Sequence, residues 1–221
     1  MDVLSFLIIV AEIVFATLFI YNDKKYHDNK SIILKTLASL MFVLLAIIKY
    51  RSKGLLIVIA LCFDMLGDFV LILRNKHKEI RDLIFVLGTL LFFIAHILFS
   101  TYLISLNINH LLQGTILCTV LYICIFFTLG KRLNVHGKIK VLGCCYSYLI
   151  LLTCSFAFVN YLNLKTIYNL VLMIGLIIFA LSDLSLMIYK FAKSNDKTLQ
   201  IIYRILYYVS QLLIAFYIGL L

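Results

Sequence analysis

The chain has 221 residues, 64% of them hydrophobic and 14% charged, with no Pro, no Trp and a mean hydropathy of +1.10. A water-soluble domain of this length cannot hide so much apolar surface, which excludes the soluble enzyme and soluble binding-module classes. The formal net charge of +10 comes from 20 Lys and Arg set against 10 Asp and Glu; its placement in short loops is a topology signal, not a sign of nucleic acid.

A helix needs about 20 apolar residues to cross the hydrocarbon, and the sequence is a train of such runs parted by short polar patches. The first run, over 3–20, carries Glu12. No basic segment precedes it and no small-residue cleavage site follows, so it reads as a helix of the mature chain and not a signal peptide. The second, over 32–48, holds Lys35, and the third, over 55–73, holds Asp64 and Asp68. The fourth, over 83–106, contains His96. Only Asn107, Asn109 and His110 separate it from the fifth, over 111–129, and reading through that patch would leave seven spans. The sixth, over 139–160, has Tyr146; the seventh, over 167–189, has Asp183; the eighth, over 198–219, has Arg204 and Gln211. No linker, low-complexity tract or soluble domain interrupts them. The sequence therefore predicts an all-α polytopic transmembrane helix bundle, one membrane domain over 1–221.

Orientation tests the span count, because cytoplasmic loops collect Lys and Arg. Fourteen basic residues fall in alternate loops: Lys24, Lys25 and Lys30; Arg74, Lys76, Lys78 and Arg81; Lys131, Arg132, Lys138 and Lys140; Lys190, Lys193 and Lys197. The opposite side has four, Lys49, Arg51, Lys53 and Lys165, together with both chain ends. Such alternation requires an even number of spans. Eight is favoured, with the basic loops cytoplasmic, beside anionic membrane lipid, and both termini outside. The expected location is the cell membrane of a prokaryote. All six cysteines, Cys62, Cys118, Cys124, Cys144, Cys145 and Cys154, lie in apolar runs without metal-type spacing and read as small buried hydrophobes.

Ionisable groups inside such spans are costly and mark function by default. At a rise of about 1.5 Å per residue, Asp68 and Asp183 lie about 9–11 Å from the cytoplasmic ends of their helices. Arg204 and Tyr146 fall at similar depth, with Lys35 nearer the surface and Asp64, His96 and Gln211 deeper. Asp64 is one turn from Asp68 on the same helix face, placed to share its proton or tune it. These polar groups are expected to converge on one cavity open to the cytoplasm. A structural ion pair of Asp68 or Asp183 with Lys35 or Arg204 is the plain alternative, and buried pairs stabilise weakly because desolvation offsets attraction. Lys35 and Arg204 read equally as snorkelling cations and as ligands for an anionic substrate. His96, Tyr146 and Gln211 taken singly are ordinary packing polar residues. Glu12, readable as a protonated and hydrogen-bonded group, is assigned no role.

Two carboxylates in a low-dielectric site can divide protonation states, one a general acid and the other a base, which suits acid-catalysed hydrolysis. Either aspartate fits either role. Zinc hydrolysis needs several His or mixed ligands, and His96 is the one embedded histidine, so no metal and no cofactor is expected. Ser182 lies in no nucleophile elbow and has no nearby base, which argues against a covalent serine route.

Residues 60–71, A-L-C-F-D-M-L-G-D-F-V-L, contain Ala60, Phe63, Gly67, Asp68 and Leu71 and resemble the AxxFSxxGDxxL signature of the YhhN family of multi-pass membrane proteins, which includes lysoplasmalogenases. Four further segments resemble the family's in order. They are Phe85, Gly88, Phe92 and His96; Tyr146, Ile150 and Ala157; Gly175, Phe179, Ser182 and Asp183; and Tyr207, Gln211, Leu212, Ile214 and Ala215. Lys35 matches the lysine near the start of the family's second helix. The chain departs from the pattern at Asp64, where the signature has serine, and at Thr36, Phe99 and Thr153. The resemblance implies hydrolysis of the vinyl-ether bond of a lysophospholipid-type amphiphile. Asp68 and Asp183 would be the catalytic pair, with Lys35 and Arg204 near the substrate phosphate and His96, Tyr146 and Gln211 orienting carboxylates or water. Proton-coupled transport is the competing class, but the Gly or Pro interruptions of broken transporter helices are missing. A non-catalytic lipid-binding protein is a third reading, favoured if the carboxylates prove dispensable.

Overall fold

A computed structural model describes residues 2–23, 29–50, 53–74, 79–129, 137–191 and 196–221. Lys24, Lys25, Arg51, Lys76, Lys78, Lys131, Arg132 and Lys193, used above for orientation, lie outside the described residues. The described residues form eight α-helices: α1 (Val3–Asp23), α2 (Asn29–Lys49), α3 (Leu55–Leu73), α4 (Arg81–Leu106), α5 (Leu111–Leu129), α6 (Gly137–Leu164), α7 (Ile167–Phe191) and α8 (Lys197–Ile218). All eight are long and apolar enough to cross a membrane. The separation of the fourth and fifth spans is real: Asn107 is extended at φ −160° and a 3₁₀ turn over Ile108–His110 follows.

Several helices outrun the apolar runs that reveal them. Hydropathy marks the hydrocarbon, whereas the helix continues until its end groups find other partners. At α1 the Ser5 N–H donates to Asp2 Oδ1 at 2.8 Å, and at α8 the Thr198 N–H donates to Asp196 Oδ1 at 2.8 Å. Both aspartates satisfy first-turn donors that the helix itself leaves open. Gly54, at φ 94°, turns the chain into α3 through the left-handed region, where a side chain would be strained. Between α6 and α7 the same region is taken by Lys165, at φ 48°, without the advantage of glycine.

The chain divides into two compact units, one of residues 1–98 with 215–221 and one of residues 99–214, so α4 and α8 each contribute to both. In the first unit α2 packs on α1 and on α3. There α3 and α4 approach closely because glycine stands on each side: a Cβ on Gly67 would come within 2.7 Å of the Phe92 ring, and one on Gly88 within 2.5 Å of Leu71. In the second unit α6 packs on α5 and α7. The Asn160 amide donates to the Leu103 carbonyl at 2.8 Å, and Ser100 and Thr153 share a hydrogen bond of 2.8 Å.

Burial is patterned for lipid. On α1 the buried stripe is Ser5, Ile8, Glu12, Ala16 and Phe19, while Phe6, Leu7, Val10, Ile13 and Val14 are exposed. Polar groups inside and large apolar ones outside are the pattern expected where the surrounding solvent is hydrocarbon. The cysteines depart from the uniform burial expected of them. Cys118 and Cys154 are buried and donate to the Tyr148 and Leu176 carbonyls, whereas Cys124 and Cys145 are exposed on the apolar surface. The difference follows from α5 and α6 turning much of their surface outward.

Two expected results follow. Gly67→Ala should cost about 1–3 kcal/mol, because the added methyl meets the face of a rigid ring in a packed interior; thermal denaturation in detergent measures it, and an unshifted midpoint would contradict the close approach. At the other end of the first unit, Lys49 Nζ meets Asp2 Oδ2 at 3.0 Å. Hydrogen bonding from Ser5 and from Lys49 holds the exposed Asp2 carboxyl well below the usual carboxylate range. A carboxyl depressed in the folded state adds stability above its unfolded value, and that stability fades as pH falls. Asp2→Asn should therefore lower the melting temperature slightly at neutral pH, with the difference from wild type shrinking as pH drops below about 4.

Candidate active site

In the first unit, the one-turn spacing of Lys35 and Ser39 puts both on one face of α2, towards α3. Lys35 Nζ meets Asp68 Oδ1 at 2.7 Å, and Ser39 Oγ donates to Asp68 Oδ2 at 2.6 Å. Each oxygen of a carboxylate that is 3% exposed thus accepts a short hydrogen bond from α2. Hydrogen bonds of this length to a charged group are the strong ones. Of the two readings of Lys35, the geometry favours neither a snorkelling cation nor a bare phosphate ligand. The ammonium points inward to Asp68, using one of its three donors there.

Asp64, His96 and Glu12 are fully buried in the same unit. Their depth follows from pairs already fixed. Gly67 against Phe92 and Gly88 against Leu71 set α3 and α4 antiparallel, with Asp64 level with Ala95 and His96. The bond from Asn22 to Ser31 and the pair of Asp2 with Lys49 set α1 against α2, with Glu12 level with Leu40, the residue after Ser39. Asp64 and His96 therefore share one tier, about a turn deeper than Asp68. Neither oxygen of Glu12 has a hydrogen-bond partner among the described residues, which departs from the hydrogen-bonded form read from the sequence.

In the second unit, the Tyr146 phenol on α6 donates to Asp183 Oδ2 on α7 at 2.6 Å. The preceding residue, Ser182, donates its hydroxyl to the Tyr203 carbonyl of α8 at 2.8 Å. Its proton is thereby engaged in joining two helices and not aimed at a substrate. Aromatic pairs continue that seam, with Phe179 edge-on to Tyr207 at 5.7 Å and Tyr189 tilted against Tyr203 at 5.8 Å between ring centroids. Arg204 is 8% exposed, its guanidinium lies 5.6 Å over the Tyr203 ring and its Nε donates to the Tyr203 hydroxyl at 3.3 Å. This is an inward placement, not snorkelling. Gln211 is fully buried on the same helix.

The residue before each aspartate is small and lies at a helix contact, Gly67 on Phe92 and Ser182 on Tyr203. Small residues let helices come close, and that proximity fixes the aspartate beside them. Sequence reasoning singled out both aspartates, Lys35 and Tyr146 but missed Ser39 and Tyr203. The position of Ser39 four residues after Lys35 was the available signal. Chemically, Asp68 is arranged as a carboxylate with both oxygens accepting, whereas Asp183 accepts on Oδ2 from a neutral phenol. Among the described residues no group of three or more His, Cys, Asp or Glu is placed to hold a metal ion.

No solved structure and no protein of curated function matches the chain. The model of the YhhN family matches residues 30–218, which take in α2 to α8, Asp68, Asp183 and all five motif segments, and leave Glu12 outside. The chain therefore belongs to the YhhN family.

Proposed function

We propose that this protein hydrolyses the vinyl-ether bond of lysoplasmalogens, releasing a fatty aldehyde and a glycerophospho-alcohol, with Asp68 and Asp183 dividing acid and base work. The YhhN family includes lysoplasmalogenases. The observation that carries the reading is the treatment of the two aspartates. Each sits within a transmembrane helix, and each is fixed by a 2.6 Å bond from a hydroxyl on a neighbouring helix. Positioned carboxyl groups of this kind serve proton transfer, and vinyl ethers need little else. Protonation at carbon gives an oxocarbenium ion, water adds to it, and the hemiacetal collapses.

In this reading Arg204 and the remaining donors of Lys35 meet the substrate phosphate. His96, Tyr146 and Gln211 orient the carboxylates or water, and Asp64 tunes Asp68. The amphiphile enters sideways from the cytoplasmic leaflet, in a protein whose basic loops are cytoplasmic and whose termini lie outside.

The test is direct. Purified protein in detergent, given lysoplasmalogen and an ordinary ester lysophospholipid separately, should release aldehyde from the first and no fatty acid from the second. Release of nothing from either would overturn hydrolysis and shift the weight to proton-coupled transport.

A further inference from the structure

A carboxyl group inside a transmembrane helix is costly to hold, and one without a hydrogen-bond partner costs more. Glu12 is fully buried on α1, and neither of its oxygens has a partner among the described residues. Asp68, in the same unit, is the contrast, since its two oxygens accept from Lys35 and Ser39. A buried polar group left open in this way calls for a ligand that completes it. Glu12 also precedes the residues that match the family, so the family supplies no role for it. Resting on the vinyl-ether reading, we infer that Glu12 accepts a hydrogen bond from the free hydroxyl of the substrate's glycerol backbone, and so selects the lyso form of the lipid.

The register of α1 on α2 places the group where that hydroxyl would come. The bond from Asn22 to Ser31 and the pair of Asp2 with Lys49 run the two helices antiparallel and set Glu12 level with Leu40. Lys35 lies nearer the start of α2, about 7–8 Å away along the helix axis. Its side chain is 14% exposed, and its ammonium spends one donor on Asp68, leaving the others for a phosphate. Between the two levels the buried residues of both helices are small: Ala16 on α1, and Ala38 and Ser39 on α2. No bulky buried side chain therefore separates the ammonium from Glu12 along the seam. A lysophospholipid with its phosphate on Lys35 and its chain directed to the middle of the membrane carries its glycerol past Asp68 towards Glu12.

The chemistry of selection follows from donors and acceptors. A carboxyl group has an oxygen lone pair for a hydroxyl donor whether it is ionised or not. In a lipid with a second acyl chain, that chain replaces the hydroxyl proton, and the glycerol has nothing to donate. A site built to hydrogen-bond a hydroxyl rejects the analogue without one, because its own buried group is then left unpaired. Glu12 is in this sense a substrate-binding residue that reads the glycerol, while Lys35 reads the phosphate.

The experiment measures binding by calorimetry to the full-length protein in detergent. Its probes are two saturated-ether lysophospholipids that cannot be cleaved, one with the glycerol hydroxyl and one with hydrogen in its place. Wild type should bind the first about 10–100-fold more tightly, the worth of pairing a buried polar group. Glu12→Leu should bind both with the affinity that wild type shows for the second. Glu12→Gln keeps an acceptor oxygen and should retain most of the preference. Without ligand, Glu12→Leu should melt no lower than wild type, because the carboxyl has no bond there to lose. Equal binding of the two probes by wild type overturns the role of Glu12. So does a Glu12→Leu variant that weakens both probes alike, or one that melts well below wild type, since either result describes a structural group. Aldehyde release from lysoplasmalogen reads the function separately: no release with discrimination intact would sink hydrolysis and keep the glycerol site, whereas release without discrimination would sink the site alone.

Discussion

Asp68→Asn is expected to reduce aldehyde release by about 10²–10⁴-fold, the usual contribution of a positioned acid or base, while the protein remains folded. Asparagine is nearly the same size but cannot accept on both sides. Its amide nitrogen must face either the Lys35 ammonium or the Ser39 hydroxyl, which occupy opposite oxygens of the native carboxylate. The penalty in stability should stay below the roughly 3–5 kcal/mol seen when one partner of a deeply buried pair is removed. Lys35 explains why: its side chain is 14% exposed and begins only six residues into α2, so the ammonium can turn towards the interface. Adding Lys35→Met to Asp68→Asn should raise the melting temperature again without restoring aldehyde release. That separation of stability from activity distinguishes a catalytic carboxylate from one kept only to neutralise a lysine. Near-normal activity in Asp68→Asn would remove the residue from the mechanism.

How far the sequence anticipates this molecule depends on which physical effect is asked. Span number and order follow from the desolvation cost of polar backbone and side chains, which is nearly local, so all eight helices were legible. Even the short break at Asn107 could be read, because the alternation of basic loops demanded an even count. Helix ends were less legible: α2 begins at Asn29 and α6 reaches Leu164, both beyond the apolar runs, since hydrogen bonding within the helix outlasts its contact with hydrocarbon. Depth was legible from the rise per residue, and it brought Tyr146 to the level of Asp183, to which it is bonded. Rotation and neighbours were not. Ser39 is an ordinary small polar residue in a helix until α3 is known to lie against it, and Tyr203 contributes to the Asp183 region through its backbone carbonyl, which no side-chain pattern reveals. For Lys35 the sequence left snorkelling and ligand binding level. The outcome is set by the buried carboxylate beside it, whose desolvation cost outweighs the advantage of leaving the ammonium in water.

Asp183→Asn is expected to be as damaging as Asp68→Asn to aldehyde release, about 10²–10⁴-fold, and to differ from it in stability. The phenol that donates to its Oδ2 is neutral and the side chain is only half-buried. The amide oxygen can still accept from that phenol, and the melting temperature should stay close to wild type. Two neighbours then separate the roles around it. Tyr146→Phe removes the 2.6 Å bond but not the carboxyl, and should lower turnover by about tenfold, in keeping with the worth of a hydrogen bond to an ionisable group. Ser182→Ala removes a hydroxyl that donates to the Tyr203 carbonyl, so it should weaken the packing of α7 on α8 by about 1 kcal/mol and leave turnover near wild type. The order of activities, wild type and Ser182→Ala above Tyr146→Phe and far above Asp183→Asn, follows from proton transfer at the carboxyl group. Loss of turnover in Ser182→Ala as deep as in Asp183→Asn would instead demand a covalent serine intermediate, and would require that the hydroxyl leave Tyr203 before it could attack.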